Sequence, residues 1–196
     1  RASGTRGRHT VPKDDAIAAI AAQLPKGKAP PVELWDPDYS GELDMRIARD
    51  GSWHYLGSPI KRPAMVKMFA SILRHDPDDR YYLVTPVEKY SIVVEDAPFQ
   101  AVAMAVHGTG RDQVLTFRTN VDDEVMAGPE HAIRVEIDPE TEEPSPYIHI
   151  RAGLEALISR AIFYDLIDLG VEETSNDEVR FGIWSAGVFF QVGPPL

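Results

Sequence analysis

The sequence predicts an α+β fold built from two copies of a helix packed on an antiparallel sheet. Two amphipathic helical patterns alternate with short runs rich in Val, Ile, Thr and aromatic residues, which are typical of strands. At a constant offset of 89 residues, Arg62 aligns with Arg151, and the apolar positions after each arginine also align. We therefore predict a duplicated unit in which each helix covers one face of its sheet.

Three regions follow from the pattern along the chain. Residues 1–38 start with the basic arm RASGTRGRHT, continue with a short amphipathic helix before Pro25, and end in a proline-rich extended linker. The arm has no periodic apolar face, so we expect it to be flexible. The first α+β domain is predicted to cover residues 39–122 and the second to cover residues 123–196.

The first copy begins with a hairpin, because the Asp50–Gly51 pair separates two alternating runs. Pro63 is predicted to open a helix that extends to His75. Turn residues then separate four strand-like runs: RYYLVTP, KYSIVVED, QAVAMAVHG and QVLTFRTN. These runs predict an antiparallel meander.

The second copy repeats this order with weaker similarity in its hairpin. The run IRVEIDPETEEPSPYIHI predicts a hairpin around a proline-rich acidic turn, and NVDDEVMAGPEH before it is predicted to be a loop. A second helix is predicted over AGLEALISRAIFYDLIDLG, ending at Gly170. The run EVRFGIWSAGVFFQVG predicts two final strands.

Composition disfavours several classes of function. The net charge of −11 argues against nucleic-acid binding, because phosphate affinity comes mainly from clustered Lys and Arg. The absence of cysteine excludes disulfides, iron–sulfur clusters and thiol nucleophiles. The six histidines lack zinc-site spacing, so we predict neither a metal nor a cofactor. The chain shows no signal-peptide core and no long apolar run, and we expect a cytoplasmic protein without a membrane segment.

Basic residues at two predicted helix starts are the strongest candidates for binding. Lys61 and Arg62 precede the first helix and Arg151 precedes the second, where the positive end of the helix dipole disfavours cations unless an anion lies near them. The anion is either a carboxylate of this acidic chain or a bound phosphate, which the planar guanidinium of arginine suits well. Arg160 lies further along the predicted second helix, which favours an ordinary surface role.

Three further residues have both a structural and a ligand-binding interpretation. Thr85 precedes a proline at a strand end, where its hydroxyl either forms a turn or binds a ligand. Tyr164 and Trp184 either belong to the core or offer a stacking face to a planar ligand. No nucleophile and base occur in a recognisable arrangement, so we predict no catalytic residue, and an enzyme remains the least favoured class.

The blocks GSPIKRPAMVKMFASILRHD, YYLVTPVEKYSIVVEDAPF, YIHIRAGLEALISRAIFYDL and GIWSAGVFFQVG resemble a bacterial family known as domain of unknown function 1285. The resemblance covers roughly residues 40 to 193. It implies a duplicated α+β core whose second half is similar to a pleckstrin-homology barrel. It also implies a site between the halves for a nucleotide-like molecule in signalling, with no activity established for the family.

We therefore expect a regulatory or signalling protein that binds a small anionic ligand at the interface of its two domains. The candidate ligand-binding residues are Lys61, Arg62, Thr85, Arg151, Tyr164 and Trp184. The alternative is a protein-interaction adaptor that binds a protein partner through the barrel-like second domain.

Overall fold

The protein is mostly β, with strands arranged in three sheets and with few helices. The computed structural model describes residues 13–24 and 29–194, and the predicted basic arm lies outside the described residues. The helices are α1 Lys13–Ala22, α2 Pro63–Ser71 and α3 Arg160–Asp168. The α+β class is therefore correct in its coarse form, although β-structure dominates.

The first sheet is formed by the strands that flank α2, in the order β3-β2-β1-β6-β5-β4. Its strands are β1 Tyr39–Ile47, β2 Trp53–Tyr55, β3 Ser58–Pro59, β4 Leu73–His75, β5 Tyr81–Val84 and β6 Lys89–Val94. All neighbours are antiparallel except β1 and β6, which run parallel at the centre. The predicted hairpin at Asp50–Gly51 is confirmed, since Met45 pairs with Tyr55 across it.

The second sheet has the order β10-β11-β12-β7-β8-β9, and the fold includes a curled half-barrel sheet. Its strands are β7 Phe99–His107, β8 Val114–Thr119, β9 Glu124–Met126, β10 Ile133–Ile137, β11 Pro144–Arg151 and β12 Leu154–Ile158. Here β7 and β12 are the parallel pair, so a strand early in this half lies beside one formed much later in the chain. The predicted hairpin of β10 and β11 is confirmed.

The remaining strands form a third sheet after α3, in the order β13-β14-β15. They are β13 Val171–Ser175, β14 Glu178–Ser185 and β15 Val188–Gly193. The two final strands predicted from the sequence are confirmed as β14 and β15. The strands after residue 98 thus fall into two sheets with α3 between them, and the pleckstrin-homology-like barrel is not confirmed.

The helix predicted for the second copy, α3, begins later than predicted, because residues 154–158 form β12. Leu154, Ala156 and Ile158 are buried while the residues between them are half-buried, which is the period of two expected of a strand. Ala152 and Gly153 both have positive φ and form the hairpin turn that separates β11 from β12. Arg151 therefore ends a strand and does not precede a helix, so the predicted alignment at an offset of 89 residues is wrong for the two helices.

Two smaller predictions also need correction. The helix predicted for the first copy, α2, ends at Ser71 and not at His75, because residues 73–75 form the edge strand β4 and pair with β5. The predicted loop after residue 120 contains the short strand β9, which pairs with β8. The predicted domain boundary between residues 122 and 123 stays a prediction, although the second sheet includes strands from both sides of it.

The core is continuous across all three sheets, and α2 and α3 contribute to it. In α2, Phe69 and Ala70 are buried, and the Phe69 ring is stacked on Trp53 with centroids 6.4 Å apart. The predicted linker is anchored to this layer, since the Arg74 guanidinium donates hydrogen bonds to the carbonyl oxygens of Val32 and Trp35.

Among the described helices, none combines the length and apolarity that crossing a bilayer requires. The cytoplasmic location stays a prediction.

Candidate functional site

The two arginines predicted to share a ligand lie at opposite ends of α2. Arg62 is the N-cap residue of the helix, whereas Nη2 of Arg151 donates a hydrogen bond of 2.9 Å to the carbonyl oxygen of Ala70 near its C-terminus. A helical rise of about 1.5 Å per residue separates these two positions by roughly 12 Å. The structure therefore does not bring Arg62 and Arg151 into one site.

Arg151 has a structural environment of its own. Besides Ala70, its guanidinium lies 5.3 Å from the centre of the Phe99 ring and 3.9 Å from Oδ2 of Asp123. A cation at a helix C-terminus is favoured by the helix dipole. These contacts connect a hairpin of the second sheet to the helix of the first half.

Thr85 follows the turn interpretation. Its side chain is buried, and Oγ1 accepts hydrogen bonds from the backbone N–H groups of Val87 and Glu88 at 3.4 and 3.0 Å. The hydroxyl therefore closes the turn between β5 and β6.

Trp184 contacts its own protein neighbours. Its Nε1 donates a hydrogen bond of 3.0 Å to Glu173, and the Arg111 guanidinium lies over its ring at 5.1 Å. Arg111 and Glu173 also form an ion pair of 2.6 Å. The indole thus lines a small cavity beside β13 and not the junction of the two halves.

The side chains of Lys61 and Arg62 are exposed, and neither side chain forms an ion pair or hydrogen bond with the part of the chain that the structure describes. Arg62 has an extended conformation and no side-chain capping bond, so the first turn of α2 begins without a carboxylate or hydroxyl cap.

Tyr164 lines a cavity of about 500 Å³ that is formed by both halves of the chain. The first half contributes Arg49 from the β1–β2 turn, and the second contributes Arg160 and Tyr164 from α3. We define these three residues as the junction site. A volume of this size lies within the range of small-molecule pockets, which is about 300–1,000 Å³.

The backbone of Arg49 is fixed from both sides, while its side chain remains accessible. Its N–H donates to the Glu95 carboxylate at 2.9 Å, and its carbonyl accepts from Nε2 of Gln100 at 2.7 Å. The side chain is 66% exposed, with Nε 3.6 Å from Oδ2 of Asp96. The guanidinium is therefore positioned at the cavity, where it is held by this loose ion pair and by a 3.5 Å hydrogen bond that Nη2 donates to Oγ of Ser145.

Asp96 has a second partner that fixes its orientation. Oδ1 accepts a 2.6 Å hydrogen bond from the hydroxyl of Tyr147 in β11. Burial, and after it this hydrogen bond, raises the pKa of Tyr147 to about 12, so the phenol stays a donor at neutral pH. Oδ2 of Asp96 is buried without a hydrogen-bond partner among the described residues, and it faces Arg49.

Arg160 is the first residue of α3, and it lies four residues before Tyr164, so both side chains occupy one face of the helix. Ser159 caps the helix, since its hydroxyl accepts a hydrogen bond from the N–H of Ile162. The Arg160 guanidinium is exposed and has no ion-pair partner in the described chain. A cation at the positive end of a helix is unfavourable by itself, and a bound anion would remove that cost.

The walls of the junction site are mixed. Ile158 and Phe163 are buried beneath it, and Pro144 and Pro146 line one side. Two guanidinium groups and one carboxylate, that of Glu143, line the cavity. Because Asp96 pairs with Arg49, Arg160 is the cation that lacks an ion-pair partner among the described residues. The arrangement can bind an anionic group between the arginines and an apolar or aromatic group against Tyr164 and the floor.

Sequence reasoning named Tyr164 but did not place Arg49 and Arg160 beside it. Arg160 was assigned to the middle of a longer helix, although Ser159 is a good N-cap residue and signals a start at that point. Arg49 lies next to the predicted Asp50–Gly51 turn, but no local pattern relates it to residue 160. Only the packing of the two halves brings them together.

Two family models match successive parts of the chain. The model described as the N-terminal domain of DUF1285, a domain of unknown function, matches residues 30–97, and the model of its C-terminal domain matches residues 98–192. Among the curated proteins, none matches the chain.

Two solved structures are similar over much of the chain. A DUF1285 family protein from Silicibacter pomeroyi DSS-3 is 55% identical, with a TM-score of 0.81, and the match covers 90% of this chain and 93% of that one. A DUF1285 family protein from Shewanella baltica OS155 is 29% identical, with a TM-score of 0.50, and the match covers 64% of this chain and 91% of that one. The chain, with both family domains in order and this overall similarity, belongs to the DUF1285 family.

Proposed function

We propose that this protein is a regulatory module that binds a small anionic ligand at the junction site. The observation that carries the proposal is that Arg49 and Arg160, which come from different family domains, line one cavity with an apolar floor. A ligand held by both arginines would bind the two domains together. Such a ligand would therefore change how firmly the domains are joined, which is the basis for a regulatory role.

Chemistry favours a phosphorylated or carboxylated compound with a planar group. Each guanidinium can bind phosphate or carboxylate oxygens with two parallel hydrogen bonds. Tyr164 is 60% exposed, so its ring is free to stack on a base or another aromatic group. A nucleotide combines both features, and it is the class that we propose first.

The test is thermal unfolding of the full chain with inorganic phosphate and with mono-, di-, tri- and cyclic nucleotides. A ligand at 100 times its dissociation constant adds about 2.7 kcal/mol to the free energy of unfolding. For a chain of this size this raises the melting temperature by several degrees. Isothermal titration calorimetry then gives the affinity of each compound that raises it.

Arg160→Gln is the discriminating variant, because Arg160 is exposed and its loss leaves no described partner unpaired. We expect at least about a tenfold loss of affinity, which corresponds to one charge-assisted contact of about 1.4 kcal/mol. Arg180→Gln is the matched control, since Arg180 pairs with Glu178 on β14 and does not line the cavity. Unchanged melting with every compound, or equal binding by Arg160→Gln, would contradict the proposal.

The adaptor alternative also has a specific feature in its favour. β13 is an edge strand that pairs only with β14 among the described strands, and beside it lies a cavity of about 470 Å³ that Leu169, Val171 and Trp184 help to line. A peptide strand could add to this edge and place an apolar side chain in the cavity. The region VFFQVG, by contrast, offers little exposed apolar surface, because Phe190 and Val192 are buried.

A single proline substitution separates this alternative from ligand binding. Replacing the exposed Thr174 in β13 by proline would introduce a residue that edge strands tolerate but that cannot donate to an added strand. Loss of a peptide partner with intact nucleotide binding would assign the interaction to this edge. If neither binding is affected, the edge is not used.

A further inference from the structure

We propose a second binding site, separate from the junction site, for a single-chain amphiphilic anion such as a medium- or long-chain carboxylate. The site is the groove between α1 and α2, with Arg62 in its lining and Lys61 next to Arg62 in the chain. We call it the helix groove. Its lining residues are Ile17, Ala18, Ala21, Tyr55, Leu56, Arg62, Ala64, Met65 and Met68.

The helix groove has the size and polarity of a hydrocarbon site. Its volume is about 670 Å³, and among the described residues that line it Arg62 alone is charged. Ala18 and Ala21 on α1 are small and exposed, which leaves space between the two helices. Met65 and Met68 on α2 are half-buried, and methionine side chains adapt to flexible apolar ligands.

The rim of the groove supplies a matching charge. Lys61 and Arg62 are exposed, and neither has an ion-pair partner in the described part of the chain. Both lie at the N-terminus of α2, where the helix dipole also attracts an anion. An amphiphilic anion would match both the charge and the apolar lining, with its carboxylate at the rim and its alkyl chain along the apolar wall. A purely apolar occupant would leave the cations without an anionic partner.

Leu56 gives an independent reason to assign the groove a binding role. It has φ of 54° and Gly57 has φ of 80°, so both central residues of the two-residue turn between β2 and β3 are in the left-handed region. Such turns strongly favour Asn-Gly or Asp-Gly, and a leucine in this conformation is strained. Leu56 lines the groove but is absent from the packed core, so core stability does not explain its presence.

Calorimetric titration of the full chain with decanoate tests the proposal, with 1-decanol and acetate as probes that lack the charge and the alkyl chain, respectively. We expect one decanoate per chain and binding at least about tenfold weaker for 1-decanol, in line with one charge-assisted contact. Acetate should not bind measurably. Absence of decanoate binding, or equal binding of decanoate and 1-decanol, would overturn the proposal.

Two variants test the residues. Arg62→Gln should weaken decanoate about tenfold and leave 1-decanol unchanged. Leu56→Asn should weaken both probes several-fold while the melting temperature stays equal or rises, because asparagine suits the turn better than leucine does. If Leu56→Asn leaves decanoate binding intact, the probe binds elsewhere and the assignment fails.

Controls separate this site from the junction site and from other occupants. Arg160→Gln should leave decanoate binding unchanged, so failure of either proposal can be recognised without the other. A second copy of the chain in the groove would appear in sedimentation as a dimer that Leu56→Asn disrupts, and this result would replace the amphiphile. A chain that stays monomeric at all concentrations and binds decanoate supports the amphiphile site.

Discussion

At the scale of single residues, Asp76 organises the most extensive charge cluster of the first sheet. Its carboxylate pairs with Arg74 at 2.6 Å and with Lys89 at 2.7 Å, and all three side chains are less than 20% exposed. Arg74 at the same time holds the linker through the carbonyls of Val32 and Trp35. One carboxylate therefore supports a cation that attaches the N-terminal linker to the sheet.

Asp76→Asn should lower the free energy of unfolding by about 3 kcal/mol, because it leaves Arg74 and Lys89 as neighbouring like charges with little access to water. Chemical denaturation at pH 7 measures the change. Asp79→Asn is the matched control: the Asp79 side chain is 93% exposed and pairs with His75, so it should cost less than about 1 kcal/mol. Equal effects of the two changes would show that the cluster does not act as proposed.

The same carboxylate makes stability depend on acid. Burial alone would raise the pKa of Asp76, but hydrogen bonds and charge from Arg74 and Lys89 outweigh it and leave the pKa below the ordinary value of 3.8. The stabilisation is therefore complete above pH 3.8 and is lost as the pH falls through the lower folded value. Between pH 7 and pH 3, the urea midpoint should fall less for Asp76→Asn than for the wild type.

At the scale of elements, close contact between strands limits which residues β14 accepts. A Cβ atom on Gly182 would lie 2.3 Å from the carbonyl oxygen of Phe190 in β15 and 2.6 Å from the Phe189 ring. The oxygen belongs to the backbone of the paired strand and cannot move without disturbing the ladder. Glycine at this position is required by the available space.

Gly182→Ala should destabilise the protein by about 1–3 kcal/mol, the usual cost of overpacking. Gly193→Ala in β15 is the control, since its added Cβ meets only a Phe181 ring atom at 3.9 Å. Thermal melting of both variants measures the difference. Because replacing glycine by alanine lowers the entropy of the unfolded chain, Gly193→Ala should be neutral or slightly stabilising. An equal destabilisation by both changes would show that the close contact with Phe190 is not the cause.

Elements with local signals were predictable, and those that depend on pairing were not. The Asp50–Gly51 turn and the paired runs around it identify their hairpin without further information. Leu154, Leu157 and Ile158 fit a helical stripe, whereas Leu154, Ala156 and Ile158 fit an alternating strand. The choice is made by β7, which pairs with β12 from a distant part of the chain. The Ala152–Gly153 turn was the local sign that favoured the strand.

At the scale of the whole molecule, Arg151 joins the two halves. It links the β11–β12 hairpin to the C-terminal end of α2 through Ala70, and its guanidinium covers Phe99 at the start of β7. The sequence indicated that this arginine matters for the relation between the halves, but it could not indicate that the partner is a carbonyl group. Long-range partners of this kind depend on how the sheets pack.

Arg151→Met should destabilise the protein by about 1–2 kcal/mol, because the charge-assisted hydrogen bond to Ala70 is lost while the aliphatic contact is largely kept. Arg118→Met is the matched control, since Arg118 is exposed and forms only a surface pair with Asp122 at 3.3 Å. Urea denaturation of both variants gives the comparison. A larger effect for Arg118→Met would contradict the proposed joining role.

The parallel pairing of β7 with β12 also has a consequence during protein synthesis. β7 leaves the ribosome about 50 residues before β12 does, which at roughly 5–20 residues per second is an interval of several seconds. For that time one edge of β7 has unpaired N–H and C=O groups and can associate with other nascent chains. Chaperones that shield newly made strands should therefore matter most for this protein in the interval between the emergence of β7 and the emergence of β12 from the ribosome.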